Sequence, residues 1–261
     1  MKQTNDSLNT GRHSPDTGQS QMIFGTRAVI EALQAGKDVD KILMRSDLQG
    51  DLARELFRMV KGTNIPLQRV PQEKLDRLTR KNHQGVIAFI SAVTYRKLED
   101  IVPSLYEEGK TPFIVLLDGV TDVRNFGAIA RTCECAGVDA LVIPAHNSVS
   151  VSADAVKTSA GALLTLPVCK EASITEAIRF LKNSGYNVAA ATERAKNNYT
   201  TIDYTLPIAL VLGGEDRGIS MDNLRICDEW VKIPLAGNIA SLNVSAAAAV
   251  LLYEVVRQRK I

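Results

Sequence analysis

Along the chain, short runs of apolar residues alternate with segments whose apolar positions recur every three or four residues. This alternation predicts buried strands separated by amphipathic helices, the pattern of an α/β fold. In the first third we predict strands at 41–45, 65–70 and 86–93 and helices at 26–34, 48–61 and 72–79. These elements define a small first domain over residues 22–93.

A second domain is predicted after a charged stretch. Residues 94–111 contain Pro103 and Gly109 around a helical stretch near 98–106, and we interpret them as a linker between domains. The next run, 112–117, is almost wholly apolar, which is typical of a strand buried on both faces of a parallel sheet. Further strands are predicted at 140–143, 187–191, 209–212 and 230–233, and helices at 125–136, 152–158, 174–184, 221–227 and from the mid-240s to 259. We therefore predict a parallel α/β domain over residues 112–261.

The composition narrows the class of protein. Residues 1–21 are polar and lack an apolar core segment, so we interpret them as a disordered tail rather than a signal peptide. No apolar run reaches the ~18–20 residues that a membrane span needs. The spacing of the four cysteines fits neither a zinc site nor a disulfide framework. We expect a cytoplasmic protein with reduced thiols, no membrane contact and no metal.

The net charge of +2 indicates no particular partner, but the charge is unevenly distributed. Residues 54 to 81 include eight Lys or Arg and three Asp or Glu, a surplus of five positive charges. Such a stretch is either a phosphate-contacting patch or a solvated helix face. Our candidate RNA contacts are Arg80, Lys81 and His83, which lead into the third strand. His83 could equally be a buried structural histidine.

The first candidate motif, residues 118–133, follows the apolar strand and opens a helix, where α/β proteins place ligands. Asn125 could cap that helix, and Gly127 allows a close approach. Arg131 lies about two helical turns beyond Asn125, so we expect it to share a face with the loop. A plain surface arginine is the alternative.

The second motif, residues 210–220, is a strand that enters a turn containing Gly213, Gly214 and Glu215. The glycine spacing does not match the dinucleotide-binding fingerprint, which argues against a nucleotide-dependent oxidoreductase. By itself the pair of glycines indicates only a turn.

The third motif, residues 233–250, passes from a strand through a small polar loop into an alanine-rich helix. Ser241, Asn243 and Ser245 alternate with apolar residues where that helix begins, so they are either helix caps or the lining of a site. We assign Ser245 to the helix start. All three motifs follow predicted strands, and we expect them to converge on one crevice.

Together the motifs carry a resemblance. Asn-x-Gly-x-x-x-Arg from Asn125, Leu-Gly-Gly-Glu-x-x-Gly from Leu212 and Ile-Pro-Leu-x-Gly…Ser-Leu-Asn-Val-Ser-x-Ala from Ile233 resemble the three motifs of the SpoU/TrmH family. Members of that family are S-adenosylmethionine-dependent RNA ribose 2′-O-methyltransferases. Around Phe24-Gly25 and His83-Gln84-Gly85-Val86, the first domain resembles the ribosomal-protein-like RNA-binding domain of two-domain members. The arrangement is similar to large-subunit rRNA guanosine-2′-O-methyltransferases.

The resemblance implies a trefoil-knotted SPOUT fold for the second domain, S-adenosylmethionine as cofactor and a homodimer with its site at the subunit interface. It implies a cofactor pocket formed by Gly213, Gly214, Ile233 and Leu242. Around the transfer site it places Asn125, Arg131, Glu215, Ser241 and Asn243. A guanidinium is essentially never deprotonated in proteins. We therefore expect Arg131 to bind phosphate and stabilise a developing alkoxide rather than act as a base. The alternatives are a tRNA 2′-O-methyltransferase and a non-catalytic RNA-binding protein.

Overall fold

The structure, a computed structural model, describes residues 22–215 and 217–260. The expected tail over residues 1–21 lies outside the described residues. The described chain forms a four-stranded sheet near its start and a seven-stranded sheet after it. Each sheet has helices on both faces, so the molecule consists of two layered α/β units.

The first sheet has the strand order β1-β4-β2-β3, in which only β2 and β3 are parallel. Its elements are β1 (Met22–Phe24), α1 (Thr26–Gln34), β2 (Val39–Arg45), α2 (Asp51–Val60), β3 (Leu67–Val70), α3 (Gln72–Leu78) and β4 (Val86–Ile90). The three predicted strands and three predicted helices are present. Strand β1 was not predicted, because three residues are too short for an alternating pattern.

The first domain buries apolar residues on both faces of its sheet. Helices α1 and α2 pack Val29 and Leu56 against Ile42 on one face. Leu75 of α3 packs against Ile87 on the other. The strands therefore alternate their side chains between two small cores, which explains their nearly continuous apolar pattern.

The second sheet is parallel throughout, with the strand order β7-β6-β5-β10-β8-β11-β9. Its strands are β5 (Phe113–Asp118), β6 (Ala140–Pro144), β7 (Val168–Glu171), β8 (Asn187–Ala191), β9 (Asn197–Asn198), β10 (Ile208–Gly213) and β11 (Glu229–Lys232). Its helices are α4 (Leu98–Glu107), α5 (Val123–Cys135), α6 (Ala153–Thr158), α7 (Ile174–Asn183), α8 (Met221–Ile226) and α9 (Val244–Arg259). The prediction of a parallel α/β sheet is confirmed. The unpredicted strands β7 and β9 are short and partly polar and lie at the two ends of the sheet.

Strand β5 shows why its sequence is apolar without alternation. Val115 and Leu117 enter the core that contains α5 and α9. Ile114 and Leu116 enter the core on the opposite face, beneath α4 and α7. A central strand covered on both faces has no solvent-facing position.

The segment expected to be a linker, residues 94–111, contains helix α4. Leu98 and Val102 of this helix are buried in the second domain's core, so the helix is a structural part of that domain. Near α4, polar contacts to Asp40 join the first domain to the second. Lys170 Nζ donates to the backbone oxygen of Asp40 at 2.9 Å, and the Tyr95 hydroxyl donates to the Asp40 carboxylate.

We expect Leu252→Ala to lower the free energy of unfolding by about 2–5 kcal/mol, because Leu252 of α9 is fully buried and the truncation leaves a cavity. Leu206→Ala removes the same atoms from a side chain that is 56% exposed, and its effect should stay within about 0.5 kcal/mol. Urea unfolding can be followed by fluorescence of Trp230, the single tryptophan. Equal effects of the two substitutions would contradict the assigned packing of α9.

Candidate active site

The first and second motifs follow neighbouring strands that end at the same level. Strands β5 and β10 are parallel partners, and Asp118 pairs with Gly213 at their carboxyl ends. The Gly214 amide then donates to the backbone oxygen of Asp118 at 2.9 Å. The two turns that leave these strands are therefore held side by side.

Two glycines make this close approach possible. A Cβ atom on Gly214 would lie 2.2 Å from the backbone oxygen of Gly119. A Cβ atom on Gly213 would lie 2.3 Å from the backbone of Gly218 and Ile219. No side chain fits at either position, so both glycines have a structural role in addition to the cofactor role expected from the sequence.

Asp118 fixes the second turn from the end of the first strand. Its Oδ2 atom accepts hydrogen bonds from the Ser220 amide at 2.9 Å and from Asn223 Nδ2 at 2.8 Å. Ser220 is also the N-cap of α8. We did not predict this role, although an acidic residue that ends a buried strand at a ligand-binding edge was a signal for it.

The N-cap of helix α5 is Asp122, not Asn125 as we expected. The Asp122 carboxylate accepts from the amides of Arg124 at 2.9 Å and Asn125 at 2.8 Å. Because Asp122 satisfies the free amides of the first turn, the Asn125 side chain is released for other contacts. Asn125 Nδ2 donates to Glu215 Oε1 at 2.7 Å, which joins the first motif to the second.

Asn243 joins the third motif to the other two. It is the N-cap of α9, with its Oδ1 accepting from the Ser245 amide at 2.9 Å. Its Nδ2 donates to Glu215 Oε1 at 2.6 Å and to Asn125 Oδ1 at 3.0 Å. The cap is thus Asn243, and Ser245 lies in the first turn. We call Asn125, Glu215 and Asn243 the motif cluster.

A cavity of about 700 Å³ opens beside the motif cluster. Asn125, Glu215 and Gly214 line it, together with residues that follow β5, β6, β7 and β10. This volume falls within the range of small-molecule sites, roughly 300–1,000 Å³. His146 and Asn147, from the loop after β6, also line the cavity. They were missed because no motif marks them.

Other predicted site residues lie outside this cavity. Gly213, Ile233, Ser241 and Leu242 are not among its lining residues, and neither is Arg131. Arg131 is exposed on α5. Residues six apart on an α-helix differ in direction by about 240°, so the expectation that Arg131 shares a face with Asn125 is wrong.

The predicted RNA contacts separate into exposed and buried residues. Arg80 and Lys81 are exposed. His83 is only 5% exposed, with Nε2 placed 2.9 Å from Asp76 Oδ1 and Nδ1 accepting from the Gly85 amide at 3.0 Å. His83 is therefore largely buried with both ring nitrogens in contact with protein groups, which favours the structural alternative.

The described residues hold no group of three or more His, Cys, Asp or Glu that could bind a metal ion. None of the described helices is both long and apolar enough to cross a membrane. All four cysteines are free, and burial raises the pKa of the Cys133 thiol well above its ordinary value. Cys133 is consequently a packing residue, not a nucleophile.

Known proteins match both domains. Residues 112–253 match the model of the SpoU rRNA methylase family. Residues 22–96 match the model described as RNA 2′-O ribose methyltransferase substrate binding. YacO of Bacillus subtilis, placed in the TrmH family of tRNA/rRNA methyltransferases, is 33% identical over 241 residues, which cover 92% of this chain and 97% of YacO. The chain belongs to the SpoU/TrmH family of RNA 2′-O-methyltransferases.

The solved structures that resemble this chain belong to the same family. The SpoU methyltransferase AviRb from Streptomyces viridochromogenes, in complex with the cofactor AdoMet, is 26% identical with a TM-score of 0.58, over 92% of this chain and 90% of AviRb. The TrmH/SpoU tRNA modifying enzyme of A. aeolicus is 31% identical with a TM-score of 0.53, over 62% of this chain and 84% of its own. The predicted fold class and the predicted cofactor, S-adenosylmethionine, are confirmed. The trefoil knot stays a prediction.

The residues beside the motif cluster suit this cofactor. Within the described part of the chain, the backbone of residues 234–242 forms no hydrogen bond, so its donors and acceptors are available to a nucleoside. The same loop exposes Leu235 and 80% of Ile239, which offer apolar surface to a flat base. Gly119, Gly214 and Gly218 of the two turns add backbone to the lining of the cavity. The chemistry of these groups therefore fits S-adenosylmethionine.

We expect Gly214→Ala to destabilise the second domain by about 1–3 kcal/mol or more, because the added methyl group meets the Gly119 oxygen. Gly237→Ala is the matched control, since no atom lies within 4 Å of its added Cβ. Thermal unfolding of the two variants measures the difference. If Gly214→Ala unfolds at the same temperature as Gly237→Ala, the close approach of the two turns is not as described.

Proposed function

We propose that this protein methylates the ribose 2′-hydroxyl of a guanosine in large-subunit rRNA and acts as a homodimer in the cytoplasm. The observation that carries the proposal is the motif cluster, in which one side chain from each motif meets the other two through hydrogen bonds of 2.6–3.0 Å. Three chain segments remote in sequence meet there beside a cavity of suitable size.

Glu215 holds the acceptor hydroxyl in this proposal. Its Oε1 atom is fixed by the amide groups of Asn125 and Asn243, and its Oε2 atom forms no hydrogen bond with a described residue. Oε2 is therefore placed to accept the hydrogen bond of the 2′-hydroxyl and to direct the oxygen lone pair. When bound, S-adenosylmethionine supplies a methyl group activated by its sulfonium.

Arg131 stabilises negative charge in this proposal. Its guanidinium keeps its proton, so it binds a substrate phosphate and the developing alkoxide instead of removing the hydroxyl proton. Because Arg131 is exposed and does not line the cavity of its own chain, we propose that it completes the site of the second subunit. The backbone of Gly213, Gly214, Ile233 and Leu242 holds the cofactor in this proposal, and Ser241 lies beside the transfer site.

The choice of rRNA over tRNA is supported by which relatives match both domains. The AdoMet-bound rRNA methyltransferase from Sinorhizobium meliloti is 25% identical over 90% of this chain. The A. aeolicus tRNA modifying enzyme matches only 62% of it. A tRNA 2′-O-methyltransferase is the second candidate, because YacO is described as a tRNA/rRNA methyltransferase.

We expect the purified protein to transfer labelled methyl from S-adenosylmethionine to bacterial rRNA, and nucleoside analysis to find 2′-O-methylguanosine. Gel-purified large-subunit rRNA and total tRNA, tested separately, decide between the two substrates. Label in tRNA alone would refute the rRNA assignment. Label on a base, or no label in any RNA, would refute ribose methylation by this protein.

Arg131→Ala should lower the methyl transfer rate by about 10²–10³-fold, because charge stabilisation in the transition state is lost. It should leave S-adenosylhomocysteine affinity, measured by calorimetry, close to that of the unchanged protein. Arg225→Ala removes another exposed arginine, one on α8, and serves as the control. A loss of cofactor binding in Arg131→Ala would contradict the proposed role.

A further inference from the structure

The first domain has a cavity of its own, about 890 Å³ in volume, between helix α2 and the carboxyl ends of β2 and β3. We call it the α2 groove and define it by Ser46, Gly50, Arg54, Phe57, Arg58 and Arg69. The family motifs and the candidate contacts Arg80, Lys81 and His83 include none of these residues, although Arg54, Arg58 and Arg69 belong to the basic stretch between residues 54 and 81. The groove therefore needs an explanation of its own.

An aromatic side chain lies open in this groove. Phe57 is 50% exposed, whereas its neighbour Leu56 is fully buried in the domain core. Phe57 thus contributes little to the core and presents part of its ring to the groove. A half-exposed aromatic ring is a surface on which a planar group can stack.

Arginines flank the ring on the same side of α2. Arg54, Phe57 and Arg58 are spaced i, i+3 and i+4, so they share one face of the helix. Like charges four residues apart destabilise a helix by a few tenths of a kcal/mol. Repulsion between Arg54 and Arg58 therefore destabilises helix α2 slightly. The fold does not need this pair of arginines.

Acidic groups do little to neutralise these arginines. Arg54 is 3.8 Å from Asp51, a carboxylate that is 99% exposed and the one acid among the groove's lining residues. Arg58 and Arg69 form no ion pair with any described residue. Arg69 is oriented by a 2.9 Å hydrogen bond to the Ser46 oxygen. The groove has a surplus of two positive charges around an exposed ring.

We propose that the α2 groove binds an unpaired segment of the RNA substrate. One base stacks on Phe57, and the flanking phosphates contact Arg54, Arg58 and Arg69. An unpaired strand fits these features better than a duplex, because paired bases are stacked on one another and cannot reach the ring. The inference rests on the proposed function, since it assigns the substrate of that reaction a second contact.

Phe57→Ala should raise the dissociation constant for a short fluorescein-labelled single-stranded RNA of mixed sequence by roughly 10-fold. Phe57→Tyr retains the ring and should bind like the unchanged protein. Fluorescence anisotropy measures both variants. Unchanged affinity in Phe57→Ala, or an equal loss in Phe57→Tyr, would overturn the stacking role. Equal weakening on a matched RNA duplex would overturn the choice of an unpaired strand.

Arg58→Ala should reduce the slope of log affinity against log salt by about 0.7, the value for one phosphate contact on a single strand. Arg179→Ala, on the exposed side of α7, is the matched control and should leave the slope unchanged. A mere loss of packing would not alter the salt dependence. If both variants change the slope equally, or neither does, the arginines of the groove do not contact phosphate.

Methyl transfer separates this inference from the proposed function. For groove variants we expect a raised KM for rRNA, an unchanged kcat and unchanged binding of S-adenosylhomocysteine. Absence of methyl transfer in the unchanged protein would refute the proposed function, while the anisotropy results would still decide the groove. Methyl transfer with an unchanged KM in Phe57→Ala would refute the groove alone.

Discussion

The candidate active site depends on the close contact between two turns, the one after β5 and the one after β10. Gly214 lies against Gly119, and Gly213 lies against the backbone that follows Gly218, at distances that leave no room for a side chain. Asp118, at the end of β5, accepts hydrogen bonds from Ser220 and Asn223, which follow the second turn. This contact holds the segments that carry Asn125 and Glu215 in a fixed relation, and the rest of the site is arranged around them.

The third motif is added to this pair by a single side chain with two functions. The oxygen of Asn243 caps helix α9, which fixes the direction of the amide, and its nitrogen donates to Glu215 and Asn125. The start of a buried helix therefore orients a group in the site. Because α9 packs with α5 in one core, the stability of that core and the geometry of the site are linked.

Much of the fold follows from the sequence, because strands covered on both faces must be apolar and glycines are needed where backbones touch. The convergence of the three motifs follows from the same rules, since carboxyl ends of parallel strands share an edge. The Asp122 cap of α5 follows the local preference of Asp for helix starts, although we placed the cap at Asn125. Other features depend on tertiary contacts that no local pattern encodes: His83 is buried against Asp76, and α4 is part of a core. The place of Phe57 in the groove depends on how helix α2 packs on the sheet, because that packing brings the ring near Arg69 of β3.

We expect Asn125 and Asn243 to act on the reaction as one unit through Glu215. The most direct test is a double-mutant cycle on kcat/KM for methyl transfer, with Asn125→Ala, Asn243→Ser and the double variant. Serine keeps an N-cap acceptor for α9 but is too short to maintain the amide contacts. If they do, the double variant should have a kcat/KM only slightly below that of the less active single variant. Losses that multiply independently would contradict this expectation.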